Sequence, residues 1–196
     1  MTPGRPVRRQ VVTEARAMRA LAHPLRVALL EAMRRDGEIT ASQAAELLGE
    51  SPGNMSWHLQ TLARYGFVEE AGEGKGRRRP WRLTSDSISF ETGIADAGPA
   101  AAGEVLERTF AERTYAQLRE WWSRSATYPR TWRRAAFMTD SVTYLTAPEL
   151  RAILDEIQAI HDRYRGRDDA RQRPVGALPV RLHAHAHPLP PTASGN

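Results

Sequence analysis

The sequence predicts a mainly α-helical chain with a small amount of β structure. Apolar residues recur at intervals of three and four positions in several segments of the 196 residues, which is the spacing of one face of a helix. Short runs of β-favouring residues flank a glycine-rich stretch at 72–76. The chain has no cysteine, so disulfides and thiolate metal sites are excluded.

Composition divides the chain into five segments. Residues 1–12 are expected to be a flexible basic arm, because they hold two prolines and three arginines and no apolar period. Residues 13–84 are expected to form a first domain, and residues 85–100 a linker of small and polar residues. A second domain with the order helix, strand, helix, strand is predicted over 101–187, followed by a flexible tail at 188–196.

Positive charge is concentrated in the first half of the chain. The net charge is +5, and residues 1–84 carry 14 Lys+Arg against 9 Asp+Glu, whereas residues 85–196 carry 14 of each. This distribution is typical of a module that binds a polyanion, with a neutral module behind it. No run approaches the roughly 18 apolar residues of a membrane-spanning helix, and the N-terminus lacks a signal-peptide core. We therefore expect a cytoplasmic protein with no membrane partner.

The first domain opens with two predicted helices. The first covers residues 13–22 and ends before His23-Pro24, because a residue that precedes proline disfavours the helical conformation. The second begins at Pro24, carries an apolar stripe, and ends at Asp36-Gly37.

Two further short helices follow after tight turns. Thr40 is expected to cap a helix over 41–48, and Ser51 to cap a helix over 52–65 with proline at its first position. Two short helices separated by a turn of a few residues predict a helix-turn-helix, in which the second helix, 52–65, is the reader helix. Predicted strands at 67–70 and 81–84 then form a β-hairpin with an arginine-rich tip, the wing.

These motifs resemble the ArsR family of winged-helix repressors. The likeness rests on the run Ser51-Pro52-Gly53-Asn54-Met55-Ser56-Trp57-His58-Leu59-Gln60-Thr61-Leu62, on Tyr65-Gly66-Phe67-Val68, on the wing that ends in Trp81-Arg82-Leu83-Thr84, and on His23-Pro24-Leu25-Arg26. It covers about residues 13–84 and implies a homodimer that binds operator DNA and, in many members, releases it when an effector arrives. Metal-sensing members carry cysteines where this chain has Glu46-Leu47-Leu48-Gly49, which excludes thiolate metal sensing here.

The first two turns of the reader helix are expected to face base edges in the major groove. Asn and Gln can bind adenine with two hydrogen bonds, Ser and Thr can contact bases or phosphates, and Trp can pack against a thymine methyl group. The predicted DNA-binding residues of this helix are Ser51, Asn54, Ser56, Trp57, Gln60 and Thr61. In the wing they are Lys75, Arg77, Arg78 and Arg79, on phosphates or in the minor groove. His58 is interpreted as a packing residue.

The second half of the chain predicts a C-terminal α+β domain for dimerisation, sensing or both. A long helix is expected over about 101–125, and its broad apolar face would pack either on the same helix of a second chain or on its own domain. A strand is predicted over 136–145, and a capping box at Thr146–Glu149 indicates that another helix begins there. A second strand is predicted over 178–187.

The last predicted strand carries one conceivable metal arrangement. His183, His185 and His187 would share one face of this strand, where imidazoles can bind zinc, nickel or copper, but a solvent-facing polar surface is the preferred interpretation. Because no fourth ligand is identifiable, no metal site and no cofactor are predicted. The aromatic residues of this half would either line a pocket for a small organic effector or belong to a core.

The chain has no glycine-rich phosphate loop and no nucleophile elbow, so an enzyme is not expected. The sequence predicts a sequence-specific DNA-binding transcription regulator, a homodimeric repressor, with double-stranded DNA as partner and a small-molecule effector as a further candidate. The alternative is a winged-helix protein-interaction module that does not read DNA.

Overall fold

The computed structural model describes residues 8–72, 79–90, 97–168 and 170–190 of the chain. Of these, the residues up to Ser125 form one compact unit and those from Ala126 onward form a second. None of the helices in these four ranges combines the length and the apolar composition that crossing a membrane would need.

The first unit contains five helices and five short strands among its described residues. In chain order they are β1 (Arg9–Val12), α1 (Ala15–Leu21), α2 (Pro24–Asp36), β2 (Ile39–Thr40), α3 (Ala41–Leu48), α4 (Pro52–Arg64), β3 (Val68–Glu70), β4 (Pro80–Leu83), β5 (Ser87–Phe90) and α5 (Ala97–Arg124). The four helices predicted for the first domain are confirmed, and their ends lie within two residues of the predicted positions.

The helix-turn-helix is defined at its turn by two side-chain caps. The Thr40 hydroxyl accepts from the Gln43 backbone N–H at 3.2 Å, while the Gln43 side chain accepts from the Thr40 N–H at 2.8 Å, which completes a capping box for α3. Gly49 ends α3 with a left-handed φ of 69°. Ser51 Oγ then accepts from the Asn54 N–H at 3.2 Å and starts α4. The two helices therefore begin where the sequence predicts them.

Removal of the α4 cap should weaken the fold measurably. Ser51→Ala is expected to lower the free energy of unfolding by about 1 kcal/mol, because the Asn54 N–H loses its acceptor. Urea denaturation measures the change. The matched control is Ser42→Ala, which removes the same hydroxyl from an exposed position within the first turn of α3. Equal effects of the two substitutions would show that Ser51 does not act as a cap.

The wing is built on a three-stranded antiparallel sheet with the order β2-β4-β3. Val68 pairs with Leu83 and Glu70 with Trp81 across the hairpin, and Ile39 lies opposite Trp81 on the other side of β4. The predicted wing strands are thus confirmed. The tip of the hairpin falls outside the described residues.

A second, two-stranded sheet corrects two boundaries predicted from composition. Strand β1 pairs in parallel with β5, with Gln10 opposite Ile88, and the Asp86 N–H donates to the Arg8 carbonyl at 2.8 Å. The predicted flexible arm therefore gives way to a strand at residue 9, and the predicted linker supplies its partner at 87–90. Composition did not reveal this pairing, because a parallel pair joins segments that are far apart in sequence.

One hydrophobic core joins the helices of this unit to the sheet. The fully buried large side chains are Met18 and Leu21 of α1, Val27, Leu29 and Leu30 of α2, Met55, Leu59 and Leu62 of α4, Phe67 and Val68 near β3, and Leu106 of α5. Because α4 contributes three of them, its inner face is held against the rest of the domain and its outer face is left to solvent.

Helix α5 belongs to the first unit, whereas the sequence assigned it to a separate second domain. Ala102 and Leu106 are buried in the core, and the carboxylate of Glu31 in α2 accepts hydrogen bonds from Arg113 and Gln117, each at 2.8 Å. The boundary at residue 101 was therefore wrong. An apolar helix face does not reveal from sequence which surface it covers, and here α5 contacts its own domain from Ala102 to Gln117.

The second unit contains α6 (Arg130–Ala135), α7 (Ala147–Tyr164) and short 3₁₀ turns. The predicted capping box is confirmed, since the Glu149 carboxylate accepts from the Thr146 N–H at 2.7 Å and the Glu149 N–H donates to the Thr146 hydroxyl at 3.4 Å. These hydrogen bonds to Thr146 hold the pKa of Glu149 below its usual range. The helix after the capping box lies where the sequence predicted it.

The two strands predicted for this region are not formed in the described part of the chain. Residues 136–145 and 178–187 are described without strand pairing. Alternating apolar residues give an extended segment one apolar face, but a strand also needs a hydrogen-bonding neighbour, which no local pattern supplies. The α+β arrangement of a C-terminal dimerisation or sensing domain consequently stays a prediction.

Candidate nucleic-acid interface

Helix α4 has two distinct faces. The inner face is buried and consists of Met55, His58, Leu59 and Leu62. The opposite face is accessible to solvent, and we call it the reader stripe: Gly53, Asn54, Trp57, Gln60, Thr61 and Arg64. These positions recur at three- and four-residue intervals, so they project from one side of the helix. The stripe includes four of the six residues predicted from the sequence to contact DNA.

The side chains of the stripe differ in how far they are already engaged. Gln60 is exposed, whereas Asn54 is half-buried and donates from its amide to a Glu50 carboxylate oxygen at 2.9 Å. The Thr61 hydroxyl donates to the Trp57 carbonyl at 2.9 Å and keeps its lone pairs for a further donor. Gln60 is therefore the more accessible of the two amides, whereas Asn54 has one of its two N–H donors engaged by Glu50.

The other two predicted residues of this helix stand apart from the stripe. Ser51 is exposed, and its hydroxyl accepts the capping hydrogen bond at the start of α4. Ser56 is half-buried and lies at the edge of the stripe, beside the buried face.

Trp57 is held in place at the centre of the stripe. Its side chain is 56% exposed, the guanidinium carbon of Arg26 lies 5.9 Å from its ring centroid, and the His58 ring meets it edge-on at 4.8 Å. Cation–π and edge-to-face contacts of this kind restrict an aromatic ring without burying it. The indole thus presents an ordered apolar surface to solvent.

His58 is a packing residue, as the sequence indicated. It is 2% exposed, its ring lies 4.6 Å from that of His23, and its Nδ1 has no hydrogen-bond partner among the described residues. Burial lowers the pKa of His58, and the neighbouring His23 and Arg26 lower it further, against a smaller opposite effect of Glu50. The folded state therefore disfavours the protonated imidazole.

This burial predicts a pH dependence of stability. Because the pKa of His58 is lowered from its ordinary 6.5 on folding, the unfolded chain binds more protons once the pH falls below about that value. Stability is expected to decline as the pH falls from about 6.5 through the lowered pKa, and His58→Gln should flatten that decline in urea titrations at several pH values. His161→Gln, at an exposed position of α7, is the matched control. A decline that His58→Gln leaves unaltered would contradict the assignment.

The structure describes only some of the wing arginines. Arg79 forms an ion pair with Glu70 at 2.7 Å, and Arg82 forms one with Glu69 at 2.8 Å. Arg79 thus lies at the base of the hairpin beside a carboxylate, whereas the sequence predicted it as one of four cations turned toward DNA. Lys75, Arg77 and Arg78 fall outside the described residues.

The sequence interpretation missed a cluster of arginines that joins the end of the reader stripe to the neighbouring helices. Arg16 and Arg19 of α1, Arg26 of α2 and Arg64 of α4 line one open depression of about 290 Å³ together with Trp57, Thr61, Tyr65 and Ala20. These arginines come from three helices, so no single window of sequence displays them together. The one local signal was the i,i+3 spacing of Arg16 and Arg19 on α1.

The three histidines near the C-terminus do not lie on a strand, whereas the sequence predicted that they share one strand face. His183, His185 and His187 lie in a segment without strand pairing, and the rings of His185 and His187 are 5.1 Å apart. Burial lowers the pKa of His183, with smaller contributions from His185 and Arg181. Within the described ranges, no three His, Asp or Glu side chains come together as metal ligands.

Comparison with known proteins gives a family match for the first unit. A family model described as a helix-turn-helix domain matches residues 21–71. No curated protein matches the chain.

Several solved structures show similarity. One is the homodimeric winged helix-turn-helix DNA-binding domain Mb0332 from Mycobacterium bovis, described as a possible ArsR-family regulator, at 27% identity over 53% of this chain and 76% of that chain with a TM-score of 0.32. Reduced HlyU from Vibrio cholerae has 24% identity over 47% of this chain and 83% of its own, with a TM-score of 0.30. A MepR variant from S. aureus bound to an oligodeoxyribonucleotide has 15% identity over 74% and 77%, with a TM-score of 0.27. TM-scores this low do not establish a shared overall architecture.

The family match coincides with the elements that the structure builds. Residues 21–71 contain α2, α3, the turn capped by Ser51, α4 and the first wing strand. Residues 21–71 therefore match a helix-turn-helix domain in sequence and build its two helices and turn in the structure, within the region of about residues 13–84 whose sequence motifs resemble the ArsR family.

Proposed function

We propose that this protein is a sequence-specific DNA-binding transcription regulator that acts as a homodimeric repressor. Helix α4 enters the major groove, and the wing contacts the adjacent backbone. The protein performs no catalysis in this proposal. Its partner is double-stranded DNA, and a small-molecule effector stays a prediction for which we propose no site.

The observation that carries the proposal is the reader stripe. Three apolar side chains of α4 are fully buried on one face and hold the helix against the domain. An amide, an indole, a hydroxyl and a guanidinium project from the other face, where they offer donors and acceptors to base edges. Gln60 supports adenine recognition because it is exposed, and Trp57 supports contact with a thymine methyl group because its ring is ordered at the surface.

The charge distribution supports a polyanionic partner. The excess of Lys+Arg over Asp+Glu lies within residues 1–84, and three arginines adjoin the reader stripe next to its own Arg64. A protein-interaction module would have no comparable need for cations next to an exposed recognition helix, since each adds repulsion that only an anionic partner relieves.

Dimerisation is supported by α5. Large apolar side chains project into solvent from this helix, namely Val105 at 54%, Tyr115 at 64% and Trp122 at 57% exposure. A second copy of the chain would cover such a surface, and a two-fold symmetric protein implies a two-fold symmetric operator.

Selection of bound duplexes from random DNA tests the proposal directly. We expect enrichment of an inverted repeat whose half-sites are about one helical turn apart. A gel shift with the selected duplex, in the presence of excess non-specific competitor, then measures the preference. Failure to enrich any sequence, together with equal retention of specific and scrambled duplexes, would refute DNA reading and favour the protein-interaction alternative.

The predicted wing cations have their own test. Replacement of Lys75, Arg77 and Arg78 by alanine is expected to flatten the dependence of DNA affinity on salt concentration, because every cation removed from a phosphate reduces the logarithmic slope by about 0.9. Fluorescence anisotropy over a salt series measures that slope. Arg79→Ala serves as the comparison, since Glu70 already pairs with Arg79 and a smaller change is expected. An unchanged slope in the triple variant would remove the wing from the interface.

A further inference from the structure

Arg64 of the reader stripe and three arginines beside the stripe form a surface that we call the arginine groove: Arg16, Arg19, Arg26 and Arg64. They line a single depression between α1, α2 and the C-terminal half of α4. Trp57 and Thr61 of the reader stripe lie in the same lining, so the groove is continuous with the surface proposed to meet the bases. Among the residues that the structure describes, none that lines the groove is acidic.

The positive charge of the groove is uncompensated within the described residues. None of its four arginines forms an ion pair in the described part of the chain, whereas the wing arginines Arg79 and Arg82 each face a glutamate. Like charges brought together without an acid raise the local potential, and the repulsion is relieved when an anion enters. The groove is therefore an electrostatic well for a negatively charged group.

Arg26 adds a direct indication of a ligand. Its Nε is buried and has no hydrogen-bond acceptor among the described residues, although the side chain as a whole is only half-buried. Burial lowers the pKa of Arg26, as expected for a cation that has given up water without gaining an anion. Its guanidinium carbon also lies 5.9 Å from the Trp57 ring centroid, a cation–π contact that places Arg26 beside the reader stripe.

From these observations we infer that the arginine groove binds a phosphate group, and that this group belongs to the DNA backbone beside the bases that α4 reads. A phosphate offers several acceptor oxygens, and the forked N–H donors of arginine match them better than the point charge of a lysine ammonium group would. The assignment of the phosphate to the DNA backbone rests on the proposed function. The affinity of the groove for phosphate does not.

The groove would also set the position of the reader helix. Contacts to phosphates fix the register and orientation of a protein on the duplex, whereas base contacts specify sequence. Arg64 lies on the reader stripe itself, and Arg16 and Arg19 lie on α1, so a phosphate held among them would fix the C-terminal end of α4 relative to the backbone.

The test uses the full chain and a double variant, Arg16→Gln with Arg19→Gln. Both side chains are exposed, so the substitutions remove charge without opening the core. The control is Arg151→Gln with Arg163→Gln, which removes the same net charge from exposed positions of α7. Matching thermal midpoints establish that all three proteins are folded.

The first arm measures DNA affinity against salt concentration with the selected duplex. The groove variant is expected to reduce the logarithmic slope by about 1, as for the loss of one phosphate contact, and to weaken specific and scrambled duplexes alike. The control variant should retain the wild-type slope. A loss of the same size in the control would assign the effect to net charge and overturn the inference for DNA.

The second arm replaces DNA by inorganic phosphate and follows the Trp57 indole N–H by NMR. A shift of this signal in the wild type that is absent in the groove variant supports a phosphate site, whatever the first arm gives. A changed slope identifies the DNA backbone as the source, and an unchanged slope with an indole shift identifies a small phosphate instead. If neither the slope nor the indole signal depends on Arg16 and Arg19, the inference is wrong.

The two arms separate this inference from the proposed function. Should the wild-type protein bind no duplex above the level of a neutral polymer, the proposed function fails, and the phosphate titration alone decides the groove. Should the protein bind its operator with an unchanged slope in the groove variant and no indole shift, the function stands and the groove does not.

Discussion

Leu59→Ala is expected to lower the free energy of unfolding by about 2–5 kcal/mol, which is a large share of the stability of a small domain. Leu59 is fully buried on the inner face of α4, within the cluster that includes Met55, Leu62 and Phe67. Truncation removes the burial of three carbon atoms and leaves a cavity that the surrounding helices can close only in part. Urea denaturation of the full chain measures the change.

The matched control makes the same truncation at a leucine that lies outside the hydrophobic core. Leu47→Ala in α3 deletes the same atoms from a side chain that is 47% exposed, and the expected cost is well below that of Leu59→Ala. A similar loss of stability in both variants would mean that α4 is not mounted on the domain through its inner face.

Gln60→Ala is expected to lower the preference for the selected duplex over a scrambled one by about 1–3 kcal/mol, or roughly 5- to 150-fold. The physical reason is that Gln60 is an exposed amide at the centre of the reader stripe, able to make paired hydrogen bonds to an adenine edge. Stability should change little, because the side chain contributes nothing to the core. Competition gel shifts with the two duplexes give the ratio.

Affinity for the scrambled duplex is the internal control for Gln60→Ala, because that affinity comes from phosphate contacts and not from base contacts. Gln158→Ala, which removes the same side chain from α7, is the matched variant and should leave both affinities unchanged. A uniform loss across specific and scrambled duplexes would make Gln60 a backbone contact and would refute its assignment as a base-reading residue.

Comparison of these two tests with the salt series on the arginine groove distinguishes three contributions to binding. Leu59 holds α4 against the domain, and its substitution changes stability. Gln60 discriminates between sequences, and its substitution changes the ratio of affinities. Arg16 and Arg19 contact phosphate, and their substitution changes the salt dependence of affinity. Each contribution has a different measurement, so a variant that fails to fold cannot imitate the loss of a base contact or of a phosphate contact.

The helix-turn-helix could be predicted from sequence because its boundaries are set by local chemistry. Thr40 and Ser51 satisfy backbone donors within three residues of themselves, and Gly49 supplies the left-handed conformation that ends α3. The accessible face of α4 follows equally directly from the helical repeat of its apolar residues. Caps and apolar periodicity depend on residues that are close together in the chain, so they can be recognised from the sequence alone.

The failures of sequence interpretation share one feature, since each concerned a pairing between distant segments. Strand β1 was assigned to a flexible arm because its partner β5 lies almost eighty residues away. Residues 136–145 and 178–187 were assigned to strands although alternation alone supplies no neighbour to pair with. The ion pair between Arg79 and Glu70 likewise became visible only across the folded hairpin, and contact of Arg79 with DNA stays a prediction.

The sequence by itself determined the identity of the helices, the two caps at the turn and the side of α4 that faces solvent, because hydrogen bonds and apolar contacts within one or two helical turns decide all three. Only the tertiary structure decided that α5 packs on the first unit and that arginines from α1, α2 and α4 share one groove. Charges from separate helices add to a single potential only when packing brings those helices together. The sequence does not give the distances between side chains on different helices.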